Sequence, residues 1–575
     1  MLRTRSTREA KIEFGEAVAS RLKLSPDGTK VLWPQPHDSD LDPQNWSDRR
    51  KNLLLFIVTL AAIVPDFDSG IGIAAIFALA EQYNTTPGVI NNLEYLLTWL
   101  GHFDCSLDIC ITSAAGWGGI AAIIFVNRYG RSSMILISQF SQGLGARILN
   151  WSDLRSRLED FHRYHEVTVR QYFEDFLIPI LAMRCLTAFF GTAPQVTGLY
   201  IVTDLFPFHL QARKLNIWTM GFIISPFLSP FALGFLVARQ HWRWSYGVGC
   251  FYSVIVVTLI TFFMEETLYD RTLKPVPPRP TDGLRYRVET LLGITGVKMA
   301  KYRATWIGAI VSPIRVVWRP HVLSILIFEV ILVTIVIDFP LTLCSHLGCN
   351  LWVTNAVFLG EDPPVGYAFG PLIIAGLYAT PIVSVIIGEL MGRYMNDWIM
   401  NASIRRNEGV FEAESRLWAC YTAIPLFICG FLVLGASFQK HLGVGAIIIG
   451  WGISELAIMI NTVAVYAYLN DCFPKHQGEV SALVNLARVL GGFAVAYFQV
   501  PWAAKNGALQ TFGVETAIVT GLFILVVPWL QLKGNALRVN PFHPIATNLH
   551  LITRVLGTLL HTVVPQQHYI LYACQ

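Results

Sequence analysis

Asp204-Leu205-Phe206-Pro207-Phe208-His209 and Asp471-Cys472-Phe473-Pro474-Lys475-His476 are one six-residue box written twice, with Asp, Phe, Pro and His recurring at four of six places. Each box ends a long apolar stretch and opens another. Gly130-Arg131 and Gly392-Arg393 form a second echo, each near the end of an apolar stretch earlier in its half. Two marks recurring in register imply two parallel repeats of one hydrophobic unit.

Working outward from the boxes, twelve apolar segments stand near 53–80, 107–127, 132–146, 176–203, 215–237, 244–264, 321–343, 366–388, 417–436, 442–469, 480–502 and 512–531. A further run at 549–566 is interrupted by Arg554 and His561 and reads as an interfacial tail segment. Charged residues make up 14% of the 575 positions and hydrophobic ones 53%, where soluble domains carry about 25% charge. Too few charges remain to clothe a water-soluble surface. The expected fold class is therefore all-α integral membrane, with twelve transmembrane helices in two six-helix pseudo-repeat bundles, because each span must satisfy its own backbone hydrogen bonds in lipid. The expected divisions are a cytoplasmic N-terminal segment 1–52, a bundle 53–264, a cytoplasmic linker 265–320, a bundle 321–531 and a cytoplasmic tail 532–575.

Lys and Arg orient the chain. Residues 1–52 carry ten, and the linker 265–320, with Pro275-Val276-Pro277-Pro278-Arg279-Pro280, carries ten more against five acids. The loops 81–110 and 344–365 carry none. Both termini and the linker are thus expected inside. The sequons at Asn84 and Asn150 then fall outside as candidate glycosylation sites, while those at Asn45 and Asn401 fall inside. The polar N-terminus does not read as a cleavable leader, so the first span is expected to direct insertion. A net charge of +4 from 43 basic and 39 acidic residues is too balanced for nucleic-acid binding. The ten cysteines have no metal spacing and read as small apolar filler. Hydrolase and phosphate-loop motifs are lacking, so no enzyme chemistry, cofactor or ATP-driven pumping is expected. An ion gradient is the expected energy source.

Asp42-Pro43-Gln44-Asn45-Trp46-Ser47 before the first span, Asn127-Arg128-Tyr129-Gly130-Arg131 after the second, Arg184 to Gly191 in the fourth, Gly221 to Gly234 with Pro226 and Pro230 in the fifth, and Glu265-Glu266-Thr267 after the sixth together resemble the major facilitator superfamily, and within it fungal twelve-span drug:proton antiporter-like transporters. The resemblance covers about residues 45–540. It implies two bundles rocking about a central cavity, proton coupling through an acid of span 1 and Arg184, and export of xenobiotics or secondary metabolites. Departures stand beside it. Asn127 takes the place of the usual Asp in the loop motif, and residues 93–110, 147–174, 338–352 and the tail after 540 read unlike family members, as translated intron or mis-spliced sequence would.

Charges inside spans are the informative set, since each costs about 2.5–3.5 kcal/mol on insertion scales. Asp66 and Asp68 lie in span 1, two residues apart. On a helix they diverge by about 200°, so one at most faces a central cavity unless Pro65, Gly70 and Gly72 break the helix. Carboxyls held away from water are the groups that proton relays use. Arg184 needs an acidic or carbonyl partner, for which Asp66 or Asp68 is the expectation. Glu329 in span 7 and Glu455 in span 10 are candidates for cation recognition or coupling, and Arg488 in span 11 for neutralising one of them. Arg131, Asp204, Glu389, Arg393, Asp397 and Asp471, with Arg128, Gly130 and Gly392, mark cytoplasmic helix ends suited to gating. Gly221, Pro226, Pro230 and Gly234 suit close helix packing. Trp218, Trp451, Tyr466 and Phe493 are candidates to line a cavity for flat ligands.

The expected function is a proton-coupled secondary transporter, multi-pass, in the plasma membrane and monomeric, with protons, membrane lipid and a small organic substrate as its partners. An organic cation or polyamine carrier is the alternative, with Glu329 and Glu455 as anionic anchors. From other classes stand a non-transporting transporter-like receptor and an inactive splice product.

Overall fold

The computed structural model describes all of residues 107–144 and 186–269, residues 476–539, and most of 16–74, 271–326 and 355–473. Among these residues the chain is helical, without a strand, and a lone bridge joins Leu24 to Val31. The helices are α1 (Asp48–Ala74), α2 (Leu107–Tyr129), α3 (131–144), α4 (Ala193–Leu205), α5 (Phe208–Val237) and α6 (Arg243–Phe263) in the first half. The linker holds α7 (Gly283–Leu291), α8 (Ile294–Met299) and α9 (Trp306–Val317). The second half holds α10 (Pro371–Leu377), α11 (Ala379–Arg406), α12 (Trp418–Lys440), α13 (Val444–Cys472), α14 (Gln477–Asn506) and α15 (Ala508–Val539). Among the described residues, six helices are long and apolar enough to cross a membrane. Apart from residues 322, 325 and 326, the expected seventh span lies outside the described residues. So do Arg184, Glu329, Asn84, Asn150, the segments 147–174 and 338–352, the tail after 540, and all of 93–110 except the first turn of α2.

Helix α1 runs unbroken through Pro65, so the helical spacing of Asp66 and Asp68 holds. Two expectations are corrected. Helix α11 continues past residue 388 to Arg406, so Glu389, Gly392, Arg393 and Asp397 sit within a helix that projects beyond the apolar stretch, not at its end. Helix α15 extends past 531 to Val539.

Close approach is built from small residues. Within the first half, Gly70 of α1 lies against Ser229 and Pro226 of α5, and Gly221 of α5 faces Thr59 of α1. Between the halves, α5 packs on α10 and α11, and α2 packs on α14. At Gly234 a Cβ would stand 2.7 Å from that of Ala375, so any side chain there would push α5 away from α10. The prolines at 226 and 230 lie inside α5. Neighbouring helices make such interruptions tolerable in a span. Large apolar side chains such as Phe251, Val254 and Phe262 of α6 point outward, as a lipid-facing surface requires.

Candidate functional site

At the meeting of the halves, α1, α4 and α14 bring together Asp66, Gln195 and Arg488. The Gln195 amide nitrogen donates to Asp66 Oδ2 at 2.8 Å and to the Ala62 carbonyl at 3.2 Å. The Arg488 guanidinium donates from Nη2 to Asp66 Oδ2 at 3.3 Å and to Gln195 Oε1 at 3.4 Å, and lies 5.3 Å over the Phe222 ring. Phe222 belongs to a buried cluster with Trp218 and Tyr466, rings 5.0–6.3 Å apart. Asn485, one turn before Arg488 on α14, is buried with its amide nitrogen unsatisfied by the protein. The result is a polar centre with aromatic walls, made from both halves.

The second acid turns away, as continuous helical spacing requires. Asp68 accepts from Gln142 of α3 at 3.0 Å, and Gln142 in turn accepts from Gln139 at 2.9 Å. It belongs to the interior of the first bundle. In the second half, Glu455 is buried and accepts from the indole of Trp451, one turn earlier on α13, at 3.2 Å. Arg488 therefore does not neutralise Glu455. Its acid is Asp66, because α14 packs against the first half while Glu455 is turned into the second. Trp218 and Trp451 are both fully buried. The Phe493 side chain lies outside the described residues.

The helix ends that bear the repeated boxes carry ion pairs. Arg131 pairs with Asp204, both side chains being largely buried. The Glu266 carboxylate caps α3, accepting from the backbone N–H groups of Arg131 and Ser132 at 3.0–3.3 Å and from the Ser132 hydroxyl at 3.0 Å. Gly130 makes the cap possible. Its φ is +112°, and a Cβ there would lie 2.5 Å from a Glu266 oxygen. In the second half, Asp471 accepts from Arg416 Nε at 3.0 Å, and Arg416 also donates to the Asn396 carbonyl at 3.3 Å. The Gly392-Arg393 echo does not repeat the first half's pairing. Arg393 lies mid-helix and meets no acid within ion-pair distance among the described residues, because α11 does not turn at Gly392. Asp397 pairs across the halves with Arg213 of α5 at 2.8 Å.

Sequence reasoning missed three site residues. Glu479, buried in the first turn of α14, accepts from the Tyr200 hydroxyl of α4 at 2.5 Å, from Ser312 of α9 at 2.7 Å and from Asn127 of α2 at 3.4 Å. It ties three segments together at the seam between the halves. Its signal was an acid three residues after the second six-residue box, where the first box is followed by the neutral Ala212. Gln195 had a weaker one, a lone amide in the apolar run of α4. Arg416 was hidden in a short 3-10 turn, Ala413–Leu417, outside any expected motif.

Among the described residues, helices without strands, six of them membrane-length, and contacts between the halves at the centre and at the box-bearing ends make the architecture of a polytopic membrane protein. The Major Facilitator Superfamily profile matches residues 53–496, and the chain belongs to that family. An uncharacterized MFS-type transporter of Schizosaccharomyces pombe is 23% identical, the match covering 91% of this chain and 90% of that one. Efflux pump radE of Floropilus chiversii is 21% identical over 63% of this chain and 64% of its own. Among solved structures, the proton:xylose symporter XylE bound to 6-bromo-6-deoxy-D-glucose superposes with a TM-score of 0.53 at 12% identity, covering 84% of this chain and 96% of that chain. That likeness establishes the twelve-helix fold. The chain is a multi-pass membrane transporter by family.

Proposed function

We propose that the chain is a proton-coupled antiporter that exports small organic molecules by alternating access, with Asp66 as the coupling acid. The observation that carries this reading is the Asp66–Arg488 contact, which joins an acid of the first half to a cation of the second. A proton arriving on Asp66 discharges the pair, frees Arg488 from it and removes a tie between the halves. Loss of that proton restores the tie. The proton and the rocking motion are thereby linked through one oxygen. Export is supported by the likeness to an efflux pump. Asn485, buried with its amide nitrogen unsatisfied by the protein, supplies a donor beside this centre. Arg184, placed by the resemblance in the same span as Gln195, would bias the same acid. Tyr200–Glu479 and Arg213–Asp397 hold the cytoplasmic mouth shut between cycles. The plasma membrane is the compartment where such export is useful.

A second reading rests on Glu455, a buried carboxylate met by an indole and by no cation among the described residues. It would anchor an organic cation such as a polyamine.

The test uses sealed inside-out vesicles with an acidic interior and a panel of azoles, dyes and the host's secondary metabolites. The parent should concentrate at least one compound, and a protonophore should abolish this. Asp66→Asn should lose concentrative uptake while keeping downhill exchange, on protein shown to reach the membrane in normal amount. Concentration that survives either treatment overturns the assignment.

A further inference from the structure

Helix α9 of the linker has two unlike faces. Ala309, Pro313 and Val316 are buried on one side, where the Ser312 hydroxyl also reaches Glu479. On the other side Ile307, Ile310 and Ile314, at i, i+3 and i+7, are 76%, 47% and 54% exposed. Upstream, Leu284, Val288 and Leu292 form a second outward apolar stripe on and just beyond α7. Such stripes are costly in water, and about 18 Å of helix is too short to cross a bilayer.

Its neighbours fix the level at which α9 lies. The Trp306 ring packs 5.7 Å from Phe125 and 5.9 Å from Tyr129, in the last turn and a half of α2. Ser312 meets the first turn of α14. The helix therefore lies across two spans at the depth where they leave the apolar layer. Arg315 is exposed beside Ile314, and Lys301 is exposed and stacks 4.9 Å from the Tyr302 ring. The linker as a whole carries ten basic residues against five acids. The cytoplasmic leaflet is negatively charged, and a short amphipathic helix with a basic rim beds in such an interface.

We propose that α9 is a lipid-docking helix: Ile307, Ile310 and Ile314 enter the acyl boundary of the cytoplasmic leaflet, and Lys301 and Arg315 take its anionic headgroups. The opposite face stays on Glu479, so one helix contacts both the bilayer and the cytoplasmic clasp.

The test places a bimane probe on Ile310→Cys in the full chain, with native cysteines replaced, reconstituted in phosphatidylcholine vesicles with or without phosphatidylserine. Doxyl-labelled lipid should quench the probe severalfold more strongly than iodide. Stronger quenching by iodide would put the face in water, and quenching by neither would put it against protein. Either result overturns the proposal. Phosphatidylserine should move the probe deeper, and K301Q with R315Q should abolish that shift. The same depth in both vesicle types overturns the anionic-headgroup assignment.

Discussion

The two halves fasten their box-bearing ends with the same chemistry from different places. In the first half the arginine follows a sharp turn. Gly130 stops α2, Glu266 caps the new helix, and Arg131 reaches Asp204 of the repeated box. In the second half the helix that should stop at Gly392 runs on to Arg406, and the arginine for Asp471 comes from the entry to α12. The lesson is that the acid of the repeat was kept in register while its cation was not. An aspartate in such a box fixes where an ion pair must form, and any guanidinium that the next helix entry can deliver will serve.

The comparison can be broken most forcefully at Arg416. Its side chain is almost wholly buried, as is that of Asp471, and removing one partner of such a pair costs about 3–5 kcal/mol. Arg416→Ala should lower the melting temperature of the detergent-purified protein sharply, whereas Arg393→Ala should barely move it. Comparable losses in both would mean that Arg393 is the true counterpart of Arg131. A smaller and opposite pair of effects is expected at the glycines. Gly130→Ala meets both a left-handed backbone and the Glu266 carboxylate, and should cost about 2 kcal/mol in the same melting measurement. Gly392→Ala has helical backbone and only ordinary contact with Val463 at 3.6 Å, and should be neutral or stabilising by about 0.5–1 kcal/mol. If the two behave alike, the turn is not what separates the halves.

The smallest effect concerns a strap of the first half. Asp42 is buried, which opposes its ionisation, but Arg271 and the backbone N–H groups of Gln44 and His37 outweigh burial and hold its carboxyl below the usual carboxylate range. A depressed pKa contributes stability that is present above the usual range and lost as pH falls through the lowered value. The melting difference between the parent and Asp42→Asn should therefore shrink as the solution is acidified. A difference that is constant or grows on acidification would contradict it.

The fold was legible because the apolar runs are long, sparsely charged and punctuated by a repeated box. The site was legible only in part. That at most one of Asp66 and Asp68 faces the centre followed from helical spacing, but which one depends on the rotation of α1, set by its packing on α5. Arg488 was visible as a buried charge, yet its partner lies more than 400 positions away, in the other half. Single-span reasoning assigned it to an acid of its own half. Glu479 escaped because it sits at a helix start, where an acid has an ordinary explanation in the helix dipole.

Asn127 carries a consequence for exchanging parts between relatives. The resemblance puts an aspartate at this place in other family members, whereas here the amide donates to Glu479 of the opposite half. The acid has, in effect, changed sides. A chimera that joined a first half bearing that aspartate to this second half would set two carboxylates against each other beside Tyr200. The two halves of this chain are thus a matched pair at this seam, and interchange with a relative's half requires that residues 127 and 479 travel together.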